Sequence, residues 1–170
     1  LDLYVLNNAF RPLSTFDLSK NLRHERDPTG GGDRLYRNDS SSQNSGREPA
    51  SKFTDVSEQA GILGSVIAFG LGVSVSDLNN DGWLDIYVCA FDSPNKLYIN
   101  NRGKFNESAG EFGLDFSGAS VSMSFADIDL DGDLDAYLLT NRLQDTDSTL
   151  NVKTLKNKPD PYLSLIHISE

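Results

Sequence analysis

Two copies of one acidic loop constrain this chain more than any other feature. The first reads Asp77-Leu78-Asn79-Asn80-Asp81-Gly82-Trp83-Leu84-Asp85. The second starts fifty residues later and reads Asp127-Ile128-Asp129-Leu130-Asp131-Gly132-Asp133-Leu134-Asp135. Both fit D-x-[DN]-x-D-G-x-x-D. Oxygen side chains stand at positions 1, 3, 5 and 9: Asp77, Asn79, Asp81 and Asp85 in one loop, Asp127, Asp129, Asp131 and Asp135 in the other. The glycine at position 6 permits a sharp turn. Position 7, Trp83 or Asp133, offers its backbone carbonyl. Alternate residues of so short a loop point inward, and a last carboxylate closes an oxygen shell around a hard cation. Calcium suits such a shell, because it accepts about 6–8 oxygens in flexible geometry while magnesium demands a tighter octahedron. The expected cofactor is therefore Ca2+, at two complete sites. A metal-free turn rich in Asp and Asn is the plainer reading of one such loop. Two copies with matching flanks argue against it.

These loops are not EF-hands, which need a bidentate Glu at position 12. That position is Val88 in the first loop and Leu138 in the second. The segments on the C-terminal side of the loops also argue for strands. Ile86-Tyr-Val-Cys-Ala90 and Ala136-Tyr-Leu-Leu-Thr140 are short, apolar and rich in β-formers.

The chain of 170 residues has the length of about one domain. Its formal net charge of −10 disfavours nucleic acid, whose binders neutralise phosphate with basic patches. It equally disfavours a polybasic membrane anchor. No apolar run reaches the length of a transmembrane helix, so no membrane insertion is expected of this stretch. Cys89 is the single cysteine and lies in an apolar strand, where a buried, inert thiol is expected. No nucleophile motif or histidine cluster stands out, and no catalytic residue is assigned.

The loops belong to a longer repeat. Before them stand Gly70-Leu-Gly-Val-Ser-Val-Ser76 and Gly118-Ala-Ser-Val-Ser-Met-Ser-Phe-Ala126. After the apolar strand, Lys96-Leu-Tyr-Ile-Asn-Asn101 matches Arg34-Leu-Tyr-Arg-Asn-Asp39. Lys104-Phe-Asn-Glu-Ser108 then matches Lys52-Phe-Thr-Asp-Val56, and both units end in a glycine turn, at Gly113 and Gly61. Strand, loop, strand, turn, strand, turn, strand in about fifty residues is the size of a β-propeller blade. The post-loop strands are apolar on both faces, as a blade covered on both sides requires. The predicted fold class is all-β: a partial β-propeller of two to three four-stranded antiparallel blades, with calcium loops between the first two strands of a blade.

Phe69-Gly70, followed by Gly72-Val-Ser-Val-Ser-Asp-Leu-Asn-Asn-Asp-Gly82, resembles an FG-GAP repeat, also called VCBS-type. Arg34-Leu-Tyr-Arg-Asn38 and Phe53-Thr-Asp-Val-Ser-Glu-Gln-Ala-Gly61 resemble the bacterial branch related to cartilage acidic protein, associated with ASPIC/UnbV modules. The resemblance covers roughly residues 1–142. It implies an integrin-like, calcium-binding β-propeller on a secreted or surface protein. Metal roles carry over only at the two complete loops. Asn79 departs from the usual Asp, and after Arg142 the repeat is no longer followed.

The expected organisation is thus residues 1–62 as the end of a blade with a long inserted loop, 63–117 as a complete blade, 118–162 as the start of another, and 163–170 as a tail. The insertion around residues 12–33 includes His24 and Gly30-Gly-Gly32 and reads as a solvated loop, or as a ligand-touching loop on one propeller face. Asn38-Asp-Ser40 and Asn106-Glu-Ser108 match the glycosylation sequon. Asp2 aligns with Asp85 and Asp135, which makes it position 9 of a third loop. Leu163-Ser-Leu-Ile-His-Ile-Ser-Glu170 resembles the translation of a transposon adapter used in sequencing libraries, and is expected to pack on nothing. The function these residues imply is a non-catalytic, calcium-binding repeat module for adhesion or ligand display. Its partners would be a protein or glycan ligand and further blades of a parent chain, at an extracellular, cell-surface or periplasmic location. The alternative is the propeller part of an extracellular hydrolase or lyase, since propellers host such chemistry and paired carboxylates can serve as acid and base.

Overall fold

A computed structural model describes residues 2–8, 26, 31–40, 52–65, 69–141 and 163–167. In chain order the elements are β1 (Leu3–Val5), β2 (Arg34–Asn38), β3 (Phe53–Asp55), α1 (Ser57–Ala60), β4 (Gly70–Ser76), β5 (Asp85–Pro94), β6 (Lys96–Asn101), β7 (Lys104–Glu107), β8 (Ser117–Ala126), β9 (Asp135–Thr140) and β10 (Leu163–His167). The fold is all-β with antiparallel strand pairing, and holds one helical turn among the described residues. Two compact units divide the chain: Leu1–Gly70 with Asn101–Asn106, and Leu71–Asn100 with Glu107–Glu170.

In the first unit β1, β2 and β3 form a three-stranded sheet in that order. Leu35, buried in β2, is tied to α1 twice. Its amide donates to Ser57 Oγ at 2.9 Å, and its carbonyl accepts from Val56 N at 2.9 Å. The helical turn stops at Gly61, whose φ of 87° is the left-handed region that glycine enters without steric cost. Ile62 and Ala60 close the apolar side.

The larger sheet has the order β10-β9-β8-β5-β6-β7, with β4 on β5. Its core is Tyr87, Cys89, Leu97, Ala109, Leu114, Met123, Ala136 and Leu138, flanked by Leu78, Ile99, Phe112 and Phe125. Residues 85–90 are all buried, so β5 is covered on both faces, as its apolar composition predicts. In β9 one residue departs from that expectation: Leu139 is exposed. A polar network threads the core. Tyr87 Oη donates to the Leu114 carbonyl and accepts from Asn95 Nδ2, both at 2.8 Å, and Asn95 Oδ1 accepts from Ala90 N at 2.9 Å. Each of these buried polar atoms therefore has a partner, as the low dielectric of a core demands.

The repeat seen in the sequence is reproduced bond by bond inside each unit. Leu3 pairs with Tyr36 and Tyr4 with Leu35; correspondingly, Ile86 pairs with Tyr98 and Tyr87 with Leu97. The bond from Val56 N to Leu35 O (2.9 Å) has its counterpart from Ser108 N to Leu97 O (2.8 Å). Likewise Ile62 N to Ser57 O answers to Leu114 N to Ala109 O, both at 2.8 Å.

Two features differ from separate four-stranded blades. First, β5 runs beyond the register of β6, and its far end pairs with β8 (Phe91 with Ala119, Pro94 with Ser117) through a bulge. A ten-residue strand beside a six-residue one leaves backbone groups that a neighbour can satisfy. Second, Leu163–His167 does not pack on nothing. It forms β10, antiparallel to β9, with Leu163 opposite Leu139 and His167 opposite Asp135. The physical reason is generic: an open strand edge takes up a β-prone segment whatever its origin. The insertion's residues 9–25 and 27–30, with His24, lie outside the described residues, as do 41–51 and 142–162.

Candidate metal centre

Each acidic loop joins a small-residue strand to an apolar one: β4 to β5, and β8 to β9. β4 and β8 lie close: a Cβ built on Gly72 would collide with the Val121 carbonyl oxygen. Ser74 Oγ also donates to the Met123 carbonyl. The glycine and serines singled out before the loops thus serve a close backbone approach.

The two loops fold alike. The carboxylate at position 1 accepts from two backbone amides. For Asp77 these are Asp81 N at 3.1 Å and Gly82 N at 2.8 Å; for Asp127 they are Asp131 N and Gly132 N, both at 3.1 Å. Position 3 accepts from the position-5 amide, at 3.3 Å from Asn79 Oδ1 and at 3.3 Å from Asp129 Oδ1. Position 5 accepts from position 7: Asp81 Oδ1 from Trp83 N at 2.8 Å, Asp131 Oδ1 from Asp133 N at 3.0 Å. Position 9 reaches back to position 2: Asp85 Oδ2 accepts from Leu78 N and Asp135 Oδ2 from Ile128 N, each at 2.9 Å. Gly82 and Gly132 have φ of 86° and 102°, and a Cβ on either would meet nothing within 4 Å. Glycine is needed there for backbone conformation and not for room.

Position 9 is the anchored end. Asp85 is fully buried and Asp135 nearly so. Asp85 Oδ1 also accepts from Asn100 N of β6 at 2.8 Å. Burial pushes the Asp85 carboxyl above its ordinary range; the amides of Asn100 and Leu78 oppose this, and nearby Asp81 and Asp77 add to it. Asp2 makes the matching bond in the first unit, where its Oδ1 accepts from Asn38 N at 2.9 Å. That supports reading Asp2 as a position-9 residue. The motif did not point to Asn38 and Asn100 as the amides that hold these carboxylates. Their signal was present, as the shared Asn of Arg34-Leu-Tyr-Arg-Asn38 and Lys96-Leu-Tyr-Ile-Asn100.

Ligand oxygens of Asp127, Asp129 and Asp135 all lie within 4.8 Å of one another. Two oxygens bound to one calcium at ~2.3–2.6 Å lie at most about 5 Å apart, so this trio has the spacing of a single cation shell. Asp131 stands outside the trio and caps the Asp133 amide. In the first loop Asn79 Nδ2 donates to Asp81 Oδ2 at 2.9 Å, so an internal amide partly answers the carboxylate charge. Trp83 is exposed and Asp133 half-buried.

Residues 77–138, which hold both loops, match the family model of the FG-GAP-like repeat. That span is similar to an FG-GAP-like repeat. The match begins on Asp77 and runs through both acidic loops to Leu138, the fourth residue of β9. A search of curated proteins finds no match. The FG-GAP-like repeat and the antiparallel, all-β architecture agree on a repeat module of propeller type.

Proposed function

We propose that this FG-GAP-like repeat is a calcium-binding VCBS-type module of a secreted or cell-surface protein, non-catalytic, that serves adhesion or ligand display. The observation that carries the reading is the convergence of the Asp127, Asp129 and Asp135 oxygens, in a loop whose backbone pattern the Asp77 loop repeats. The second site would be held by Asp127, Asp129, Asp131, the Asp133 carbonyl and Asp135. The first would be held by Asp77, Asn79, Asp81, the Trp83 carbonyl and Asp85. A cation there neutralises carboxylates that otherwise repel one another at the mouth of each hairpin. If Kd were ~10 μM and free calcium ~1 mM, each site would add about 2.7 kcal/mol by mass action. That is large beside a domain stability of roughly 5–15 kcal/mol.

Thermal melts test it. In millimolar calcium the melting temperature should stand several degrees above that in EDTA, with magnesium a poor substitute. Identical melts under the three conditions would remove the metal from the proposal.

A further inference from the structure

The two glycosylation sequons differ in what their side chains do. In Asn38-Asp39-Ser40 both ends are occupied: Asn38 Oδ1 accepts from Ser40 N at 2.9 Å, and Ser40 Oγ accepts from Lys52 N at 3.1 Å. Asn38 is half-buried in β2, the middle strand of its sheet. The fold alone accounts for these residues.

Asn106-Glu107-Ser108 is otherwise. Asn106 is exposed on β7, beside buried Phe105, and β7 ends its sheet. Ser108 is fixed through its backbone, its amide donating to the Leu97 carbonyl at 2.8 Å. The matching residues of the other repeat are Thr54, whose hydroxyl donates to Asp39, and Val56, whose amide makes the equivalent bond. The fold therefore needs neither Asn at 106 nor a hydroxyl at 108.

We infer that Asn106 is an N-glycan attachment site and Asn38 is not, an inference that rests on the extracellular reading above. The donor class is a lipid-linked oligosaccharide. The Asn106 amide nitrogen attacks the anomeric carbon, a C–N bond forms, and the C–O bond to the lipid pyrophosphate breaks. The pyrophosphate leaves with the bond's electrons, and the amide gives up one proton.

The test is peptide mass spectrometry on the full chain routed by an added signal peptide through a glycosylating secretory host. Both secreted and retained material are read. The expected result is glycan on the peptide containing Asn106, released by an amidase that leaves Asp at that position. Asn106→Gln and Ser108→Ala should abolish it, Ser108→Thr should keep it, and Asn38→Gln should leave it unchanged. Bare Asn106, or glycan on Asn38 alone, would overturn the inference. Calcium-dependent melting of the same material reports separately on the proposed function, so the two can fail independently.

Discussion

At position 4 of the acidic loops the backbone turns left-handed, with φ of 53° at Asn80 and 63° at Leu130. Asn enters that region readily, because its short polar side chain bonds locally; for other L-residues the Cβ crowds the carbonyl at about 1–2 kcal/mol. Leu130 is 85% exposed, so burial returns almost nothing for that strain. Leu130→Asn should raise stability by about 0.5–1 kcal/mol, read as a higher urea midpoint at unchanged slope. An unchanged or lower midpoint would remove the strain argument. Cys89 sets a second expectation. Burial pushes its thiol up to about 12 from an ordinary 9.0. Burial also pushes the Tyr87 phenol upward, partly opposed by the bond from Asn95. Both groups hold their protons more tightly folded than unfolded. Their contribution is therefore complete below about pH 9 and is lost as pH rises toward 12, by up to about 1.4 kcal/mol per pH unit for each proton. Urea midpoints should fall between pH 9 and 11, and Cys89→Ala should flatten part of the slope. A flat midpoint across that range would contradict the burial assignment. The inert thiol was legible in the sequence; the strained Leu130 was not, because the motif leaves position 4 unspecified.

The hairpin formed by β4, the first loop and β5 depends on Asp85 apart from the proposed metal. Asp85→Ala strips the acceptor from Leu78 N and Asn100 N, and a buried amide left unpaired costs about 1–3 kcal/mol. The variant should melt below the parent even in EDTA, where no ion contributes. An equal melt in EDTA would mean that the carboxylate matters only through metal. Calorimetry then ranks the loops. The Asp127 loop offers four carboxylates and the Asp77 loop three with the Asn79 amide. Charge count tunes calcium affinity, so the tighter binding step should vanish in Asp135→Ala and survive in Asp85→Ala; the reverse pattern would overturn the ranking. The proposed donor positions could be read from a nine-residue motif because so short a loop closes on itself. The anchoring amide of Asn100 was not readable from the loop, since it arrives from β6 by strand pairing.

Over the whole molecule, the acidic balance of −10 works against association, while one apolar stripe works for it. Leu71, Val73 and Val75 of β4 are 45, 41 and 52% exposed, on the face opposite Gly72 and Ser74. Apolar stripes of this kind on a strand are contact surfaces. The chain should therefore grow in apparent mass with concentration on light-scattering chromatography. Val73→Lys with Val75→Lys should shift it toward monomer. A monomer at every concentration would show that the stripe is not a contact surface.

The sequence by itself determined the β-rich repeat and the oxygen-bearing positions of both loops. Those features are local: the strand pattern has period two, the loop is nine residues long, and the repeated Leu-Tyr and Gly landmarks fix each unit in step. Asp2 could be matched to Asp85 on the same basis, and the bond from Asn38 N bears the match out. Tertiary structure alone decided the rest. It brought the Asn100 amide of β6 to the Asp85 carboxylate. It joined the far end of β5 to β8 and laid β10 along β9. The physical reason is common to all three. Each depends on where a hydrogen-bonding group from a distant part of the chain arrives, and backbone amides and open strand edges take the partner that packing brings to them, which no residue identity announces.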